Sequence, residues 1–151
     1  MIVIEQLRSA PEPQLLAGLE RDRLQLSWEE RRWTRRRVRT VAGREIALAL
    51  PTGTMLEPGV ILLIERDWYL EVEALPEPLI AIQPGSWPAA IRAAFEIGNR
   101  HFPLAIEGET ILVPDDPAME QLALRLGDRW ERRSAVFRPL ASSPARHSHD
   151  T

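Results

Sequence analysis

Three histidines and no cysteine set the chemistry this chain can offer: imidazole nitrogen is available as a metal ligand, and no thiolate competes with it. Neutral imidazole suits nickel, copper and zinc. His101 closes the tetrapeptide Gly98-Asn99-Arg100-His101, while His147 and His149 stand two residues apart near the chain's end. Together they would supply three nitrogens to one ion. A two-fold dimer would do better: a His101 near the axis meets its copy, and two tails close over the same metal. Each residue also has a plainer reading. His101 can be a capping or half-buried polar residue at a helix end, and His147 and His149 can belong to a solvated terminus.

Other chemistry is thin. The chain has no cysteine nucleophile, G-x-S-x-G elbow, P-loop or G-x-G-x-x-G turn, so we expect a protein that is not an enzyme. Asp115 and Asp116 are adjacent carboxylates, but Asp116 has a simpler task as a helix cap. Trp87 and Phe95 at helical spacing read as core rather than as a ligand-stacking pair. The run Arg31 to Arg39, with Trp33 inside it, has two readings: a nucleic-acid surface, or the charged solvent face of a strand. Arg35, Arg37 and Arg39 share one face by alternation, and Arg36 and Val38 share the other. The net charge of -3 speaks against nucleic acid and anionic membranes as partners.

The elements that must position these residues change character midway. Apolar runs or alternation predict strands at Ile2 to Leu7, around Leu24 and Leu26 with Trp28 continuing that face, and at 34–40. Further strands are predicted at 45–50, 60–64 and 68–73. Turn signals recur about every 8–12 residues, as in a small all-β sandwich or barrel. Pro76-Glu77-Pro78 then breaks the pattern as a domain hinge. Beyond it, Leu79 to Ile82 reads as a strand. Ser86 and Pro88 open a helix with Trp87, Ile91, Ala94, Phe95 and Gly98 on one face. Gly98 is placed to end it, with Asn99 tolerating a left-handed conformation. A hairpin about Glu107-Gly108-Glu109 follows. Then comes a helix from Asp116-Pro117 to Gly127 with Met119, Leu122, Ala123 and Leu126 inward, and a last strand at 134–137. The order βαββαβ is the ferredoxin-like plan. The fold class is thus α+β: an N-terminal all-β domain (1–75), a ferredoxin-like domain (76–141) and a flexible histidine-bearing tail (142–151).

All 19 basic residues are arginine, and Asn99 is the only asparagine. The N-terminus lacks a basic stretch followed by an apolar core, no apolar run is long enough to span a bilayer, and cysteine is absent. These features predict a cytoplasmic protein.

The segment Gly98-Asn99-Arg100-His101-Phe102-Pro103-Leu104 resembles the signature of the UreE urease accessory proteins, which are nickel metallochaperones. The likeness extends over the chain. It takes in Arg35-Arg36-Arg37-Val38-Arg39-Thr40, Gly43-Arg44-Glu45-Ile46 and Gly59, then Ile111-Leu112-Val113-Pro114, Met119-Glu120-Gln121-Leu122 and Phe137-Arg138-Pro139-Leu140. The resemblance implies an N-terminal domain that contacts partner proteins or peptides. It also implies a homodimer through the C-terminal domains, with His101 of both chains on one nickel ion and His147 and His149 completing or feeding the site. Zinc or copper could occupy the same imidazoles in vitro. The implied function is delivery of nickel to apo-urease, with the other accessory proteins, including the nickel-inserting GTPase, as partners. Unlike some relatives, the chain has no long His-rich tail and no histidines at the start of the second helix, which argues for few ions per dimer. The rival readings are a metal-free interaction module and, less favoured, an RNA or DNA binder acting through the arginine run.

Overall fold

Alternating apolar residues build the first half into strands. The computed structural model describes residues 1–140; His147, His149 and the expected flexible tail 142–151 lie outside them. The chain falls into two compact units, Met1–Leu75 and Pro76–Thr151.

In the first unit, β1 (Ile2–Ile4), β3 (Arg35–Arg39) and β4 (Glu45–Ala49) form one sheet in the order β1-β4-β3. The second sheet holds β2 (Glu20–Leu26), β5 (Ile61–Ile64) and β6 (Trp68–Ala74) in the order β2-β6-β5. The period of two explains the core. Ile4, Ile46 and Leu48 from the first sheet meet Leu24, Leu26, Leu62, Leu70 and Val72 from the second in one buried cluster. Burying each such side chain is worth roughly 1.5–3 kcal/mol. Trp28 does not extend β2, which ends at Leu26; it sits half-buried in the following turn, with Arg32 over its ring.

One polar knot sits in this apolar unit. Asp22 on β2 is buried. Its carboxylate accepts hydrogen bonds from Thr40 Oγ1 at 2.6 Å, Arg44 Nη1 at 2.8 Å, and the backbone N–H groups of Ala42 at 3.0 Å and Arg23 at 2.8 Å. Val41 N–H also donates to the Arg23 carbonyl. The β3–β4 turn is thereby pinned to the other sheet. Burial pushes the carboxyl up, but the bonds from Thr40, Arg44, Ala42 and Arg23 outweigh it and hold Asp22 below the usual carboxylate range.

The second unit contains β7 (Pro76–Gln83), α1 (Trp87–Asn99), β8 (Ala105–Glu107), β9 (Thr110–Pro114), α2 (Pro117–Leu126) and β10 (Arg129–Val136). The sheet order β10-β7-β9-β8 is antiparallel throughout, the ferredoxin-like arrangement that the element order predicts. The expected caps are in place. Ser86 Oγ accepts from Ala89 N–H, Asp116 Oδ1 accepts from Ala118 N–H, and Gly127 ends α2 in the left-handed region.

Three expectations need correction. Pro76 and Pro78 do not break the chain; they open β7, opposite Val136 and Ser134 of β10. The Pro78 carbonyl accepts from Asp115 N–H, so both prolines turn their missing donors away from β10, where β9 gives out. The last strand is longer than 134–137 and begins at Arg129. Most consequentially, α1 does not bury Trp87, Ile91 and Phe95. They are 77%, 54% and 67% exposed, and the helix packs through Ala93 and Ile97 against Ile80, Ile82, Ile111, Val113 and Met119. The helix carries two apolar stripes, and the smaller one lets it lie close to the sheet.

Candidate metal centre

His101 leaves α1 in a conformation that its residue type disfavours. Its φ is 62°, the only positive φ outside glycine among the described residues. Neither Gly98 nor Asn99 takes that role, contrary to expectation: both remain in the helix, and Arg100 is its C-cap. His101 N–H donates to the Gly98 carbonyl at 2.9 Å, and Phe102 N–H to the Ile97 carbonyl at 3.3 Å. That pair of bonds is a Schellman motif with His101 at the left-handed position. Phe102 packs on the cluster that holds Ile97, the apolar contact that usually accompanies the motif. Glycine is the ordinary occupant, because a Cβ there costs on the order of 1 kcal/mol. The cap is therefore a backbone device, and the imidazole contributes nothing to it.

The imidazole is exposed, and neither ring nitrogen hydrogen-bonds to any other described residue. Glu96, near in sequence, and the two carboxylates that precede α2 are committed elsewhere. Glu96 holds Arg100 at 2.6 Å; that hydrogen bond, aided by the charges of Arg100, Arg125 and Arg92, keeps its carboxyl below the usual range. Asp115 accepts from Arg132, and Asp116 is a cap. Among the described residues no group of three or more His, Asp or Glu side chains could hold a metal. His101 could therefore offer one ligand, but could not by itself make a site.

Two features bear on where those groups could come from. Trp87, Ile91 and Phe95 run at four-residue spacing along the exposed side of α1, whose end carries His101. Beside Trp87 and Ile91 a groove of about 440 Å³ is lined also by Leu104, Ile106 and Thr110. After β10 the chain doubles back, and Leu140 N–H donates to the Leu104 carbonyl at 2.7 Å. The last described residue is therefore bonded to a residue three positions beyond His101. His147 and His149 follow Leu140 by seven and nine residues, outside the described part.

The arginine run does not form one surface. Arg31 is buried, in a turn with Arg32, and only Arg35, Arg36, Arg37 and Arg39 of β3 are exposed together.

Sequence comparison yields one consistent set of relatives. Residues 3–75 match the N-terminal domain, and residues 77–151 the C-terminal domain, of the UreE urease accessory protein family. A urease accessory protein UreE from Synechococcus sp. is 38% identical over 149 residues, covering 97% of both chains. One from Cupriavidus necator is 33% identical over 154 residues, 99% of this chain and 80% of that one. One from Ralstonia nicotianae is 36% identical over 111 residues, 72% of this chain and 53% of the relative's length.

Proposed function

The chain belongs to the UreE family of urease accessory proteins, and on that premise we propose that it is a nickel metallochaperone, not an enzyme, serving urease assembly in the cytoplasm. It works as a homodimer. His101 of each subunit binds one shared nickel ion, and His147 and His149 complete or feed the site. The cargo passes to apo-urease with the help of the other accessory proteins, including the nickel-inserting GTPase. No helix among the described residues is long and apolar enough to cross a membrane.

The observation that carries this reading is the strained, exposed His101. A residue held at a backbone angle that glycine would take more cheaply, with an imidazole bonded to none of the described residues, is explained by a ligand. The uncovered stripe Trp87, Ile91 and Phe95 supports the dimer. A second copy packed on that stripe by a two-fold axis near its end would bring two His101 side chains together. The tail is long enough to join them. Seven residues reach up to about 23 Å, and His101 lies within about 11 Å of the Leu104 anchor along the backbone. An exposed site closed by separable imidazoles also suits transfer, because its ligands can leave one at a time.

Calorimetric titration of nickel into the full chain tests the function. We expect tight binding at one ion per two chains. Lowering the pH from 7.5 to 5.5 should weaken it, because protons compete with the metal for imidazole nitrogen. Equal affinity at both pH values would sink the histidine site.

The dimer has its own test. Phe95 is exposed, so Phe95→Glu should leave the fold intact yet put a charge into the interface. Sedimentation should show the parent at twice 17.2 kDa and the variant as a monomer. Nickel binding should weaken with it although His101 is untouched. A variant that remains dimeric would place the interface elsewhere.

A further inference from the structure

Among the described residues β3 is an open edge. In its sheet it pairs with β4 alone, in the register Arg35↔Ala49 to Arg39↔Glu45. Leu50 N–H donates to the Thr34 carbonyl and Thr40 N–H to the Arg44 carbonyl, so the even-numbered residues bond toward β4. The backbone N–H and C=O groups of Arg35, Arg37 and Arg39 consequently face outward. Their side chains share one exposed face.

The charges on this edge are unequal. Arg39 is paired with Glu45 at 2.9 Å and donates to the Gly43 carbonyl. Arg36 stacks on Trp33 at 3.3 Å from the ring centroid. Arg35 and Arg37 have no acidic partner among the described residues. Two uncompensated guanidinium groups at i, i+2 stand out on a chain whose net charge is -3. An edge of this kind rejects a second copy of itself, because arginine would oppose arginine. It matches an extended strand with acidic residues at alternate positions.

We propose that β3 is the docking edge for an extended acidic segment of a partner protein, which adds as a fourth strand beside Arg35, Arg37 and Arg39. The backbone ladder supplies the binding mode, and carboxylates facing Arg35 and Arg37 supply the selectivity. The surface lies in the first unit and involves no metal ligand, so it goes beyond the nickel reading and can fail separately from it.

The probe is a short peptide of alternating glutamate and valine, added to the full chain and followed by amide hydrogen exchange. The expected result is slowed exchange at Arg35, Arg37 and Arg39, with Arg36 and Val38 unchanged because they already bond to β4. Arg35→Glu with Arg37→Glu should weaken the acidic peptide at least about tenfold and create binding to the lysine–valine counterpart. Slow exchange of the Arg36 and Val38 amides, which bond to β4, matching the parent, shows that the first unit of this double variant is folded. Arg37→Pro removes one outward donor without touching the β3–β4 ladder, and should also weaken binding. Peptide binding without protection of the three outward amides would overturn strand addition. Absence of binding to a parent whose Arg36 and Val38 amides are protected would overturn the docking edge. Preference of the same amides for a single-stranded RNA or DNA oligonucleotide would overturn the choice of partner.

Discussion

Replacing His101 by glycine is expected to abolish tight nickel binding and, in the same molecule, to stabilise the second unit by up to about 1 kcal/mol. Most substitutions at a working residue lose function with stability unchanged or lowered. Here the two should move in opposite directions, because His101 holds a left-handed angle of 62° that glycine adopts freely. The Schellman bonds to Gly98 and from Phe102 are backbone bonds and survive the change. His101→Ala keeps the strain, and should lose nickel with stability nearly unaltered. Urea denaturation and nickel titration on the three proteins make the test. A glycine variant less stable than its parent would mean that the imidazole is itself part of the cap. A variant that still binds nickel tightly would remove His101 from the site.

Asp22→Ala should cost about 3 kcal/mol, a large share of the stability of a unit this size. Removing the carboxylate strands the buried Thr40 hydroxyl and takes the acceptor from two part-buried backbone N–H groups. Arg44 is partly solvated and keeps Glu20 and the Trp68 ring, so its share of the loss is small. The pH dependence follows from the direction of the shift. Asp22 titrates lower in the folded state than in the unfolded chain. Its contribution is therefore fully present above the unfolded value near pH 4 and is lost as the pH falls through the folded one. Denaturation curves of parent and variant should differ by a constant amount between about pH 5 and 8 and converge in stronger acid. A gap that grows on acidification would contradict the assignment.

Where local chemistry decides the outcome, the sequence was readable. Alternation at Leu24, Leu26, Ile46 and Leu48, and the caps Ser86, Asp116 and Gly127, are each specified by residues within one turn or strand. They led to the α+β class and the ferredoxin-like order. The failures share a different cause. Whether α1 buries Trp87 or Ala93 depends on which stripe the sheet meets, and the bulkier stripe gave the stronger periodic signal. Pro76 and Pro78 fit in β7 because of the direction their nitrogens face, which follows from register. Asp22 reads as one polar residue in Arg21-Asp22-Arg23 until Thr40 and Arg44 fold over it. His101 was legible as a candidate ligand, but its strained angle was not, since Gly98 and Asn99 offered cheaper places for a left-handed turn. Five-residue spacing of Ile97 and Phe102 was the available hint of the Schellman contact.

The bond between Leu140 and Leu104 has a consequence for the ligands beyond it. It turns the terminal histidines of the proposed site into tethered reactants, whose encounter with His101 is intramolecular. On the proposed reading, a spacer of seven residues, if it behaves as a short linker, would present them at an effective concentration on the order of millimolar, whatever the concentration of the protein. Imidazoles too weak to capture nickel from solution then suffice to close over an ion already held. On the proposed reading they would also let go without leaving, and a partner would need to compete with only one ring at a time. Lengthening the spacer would then dilute them by roughly the three-halves power of its length, so in the proposed site its length would set how firmly the cargo is kept.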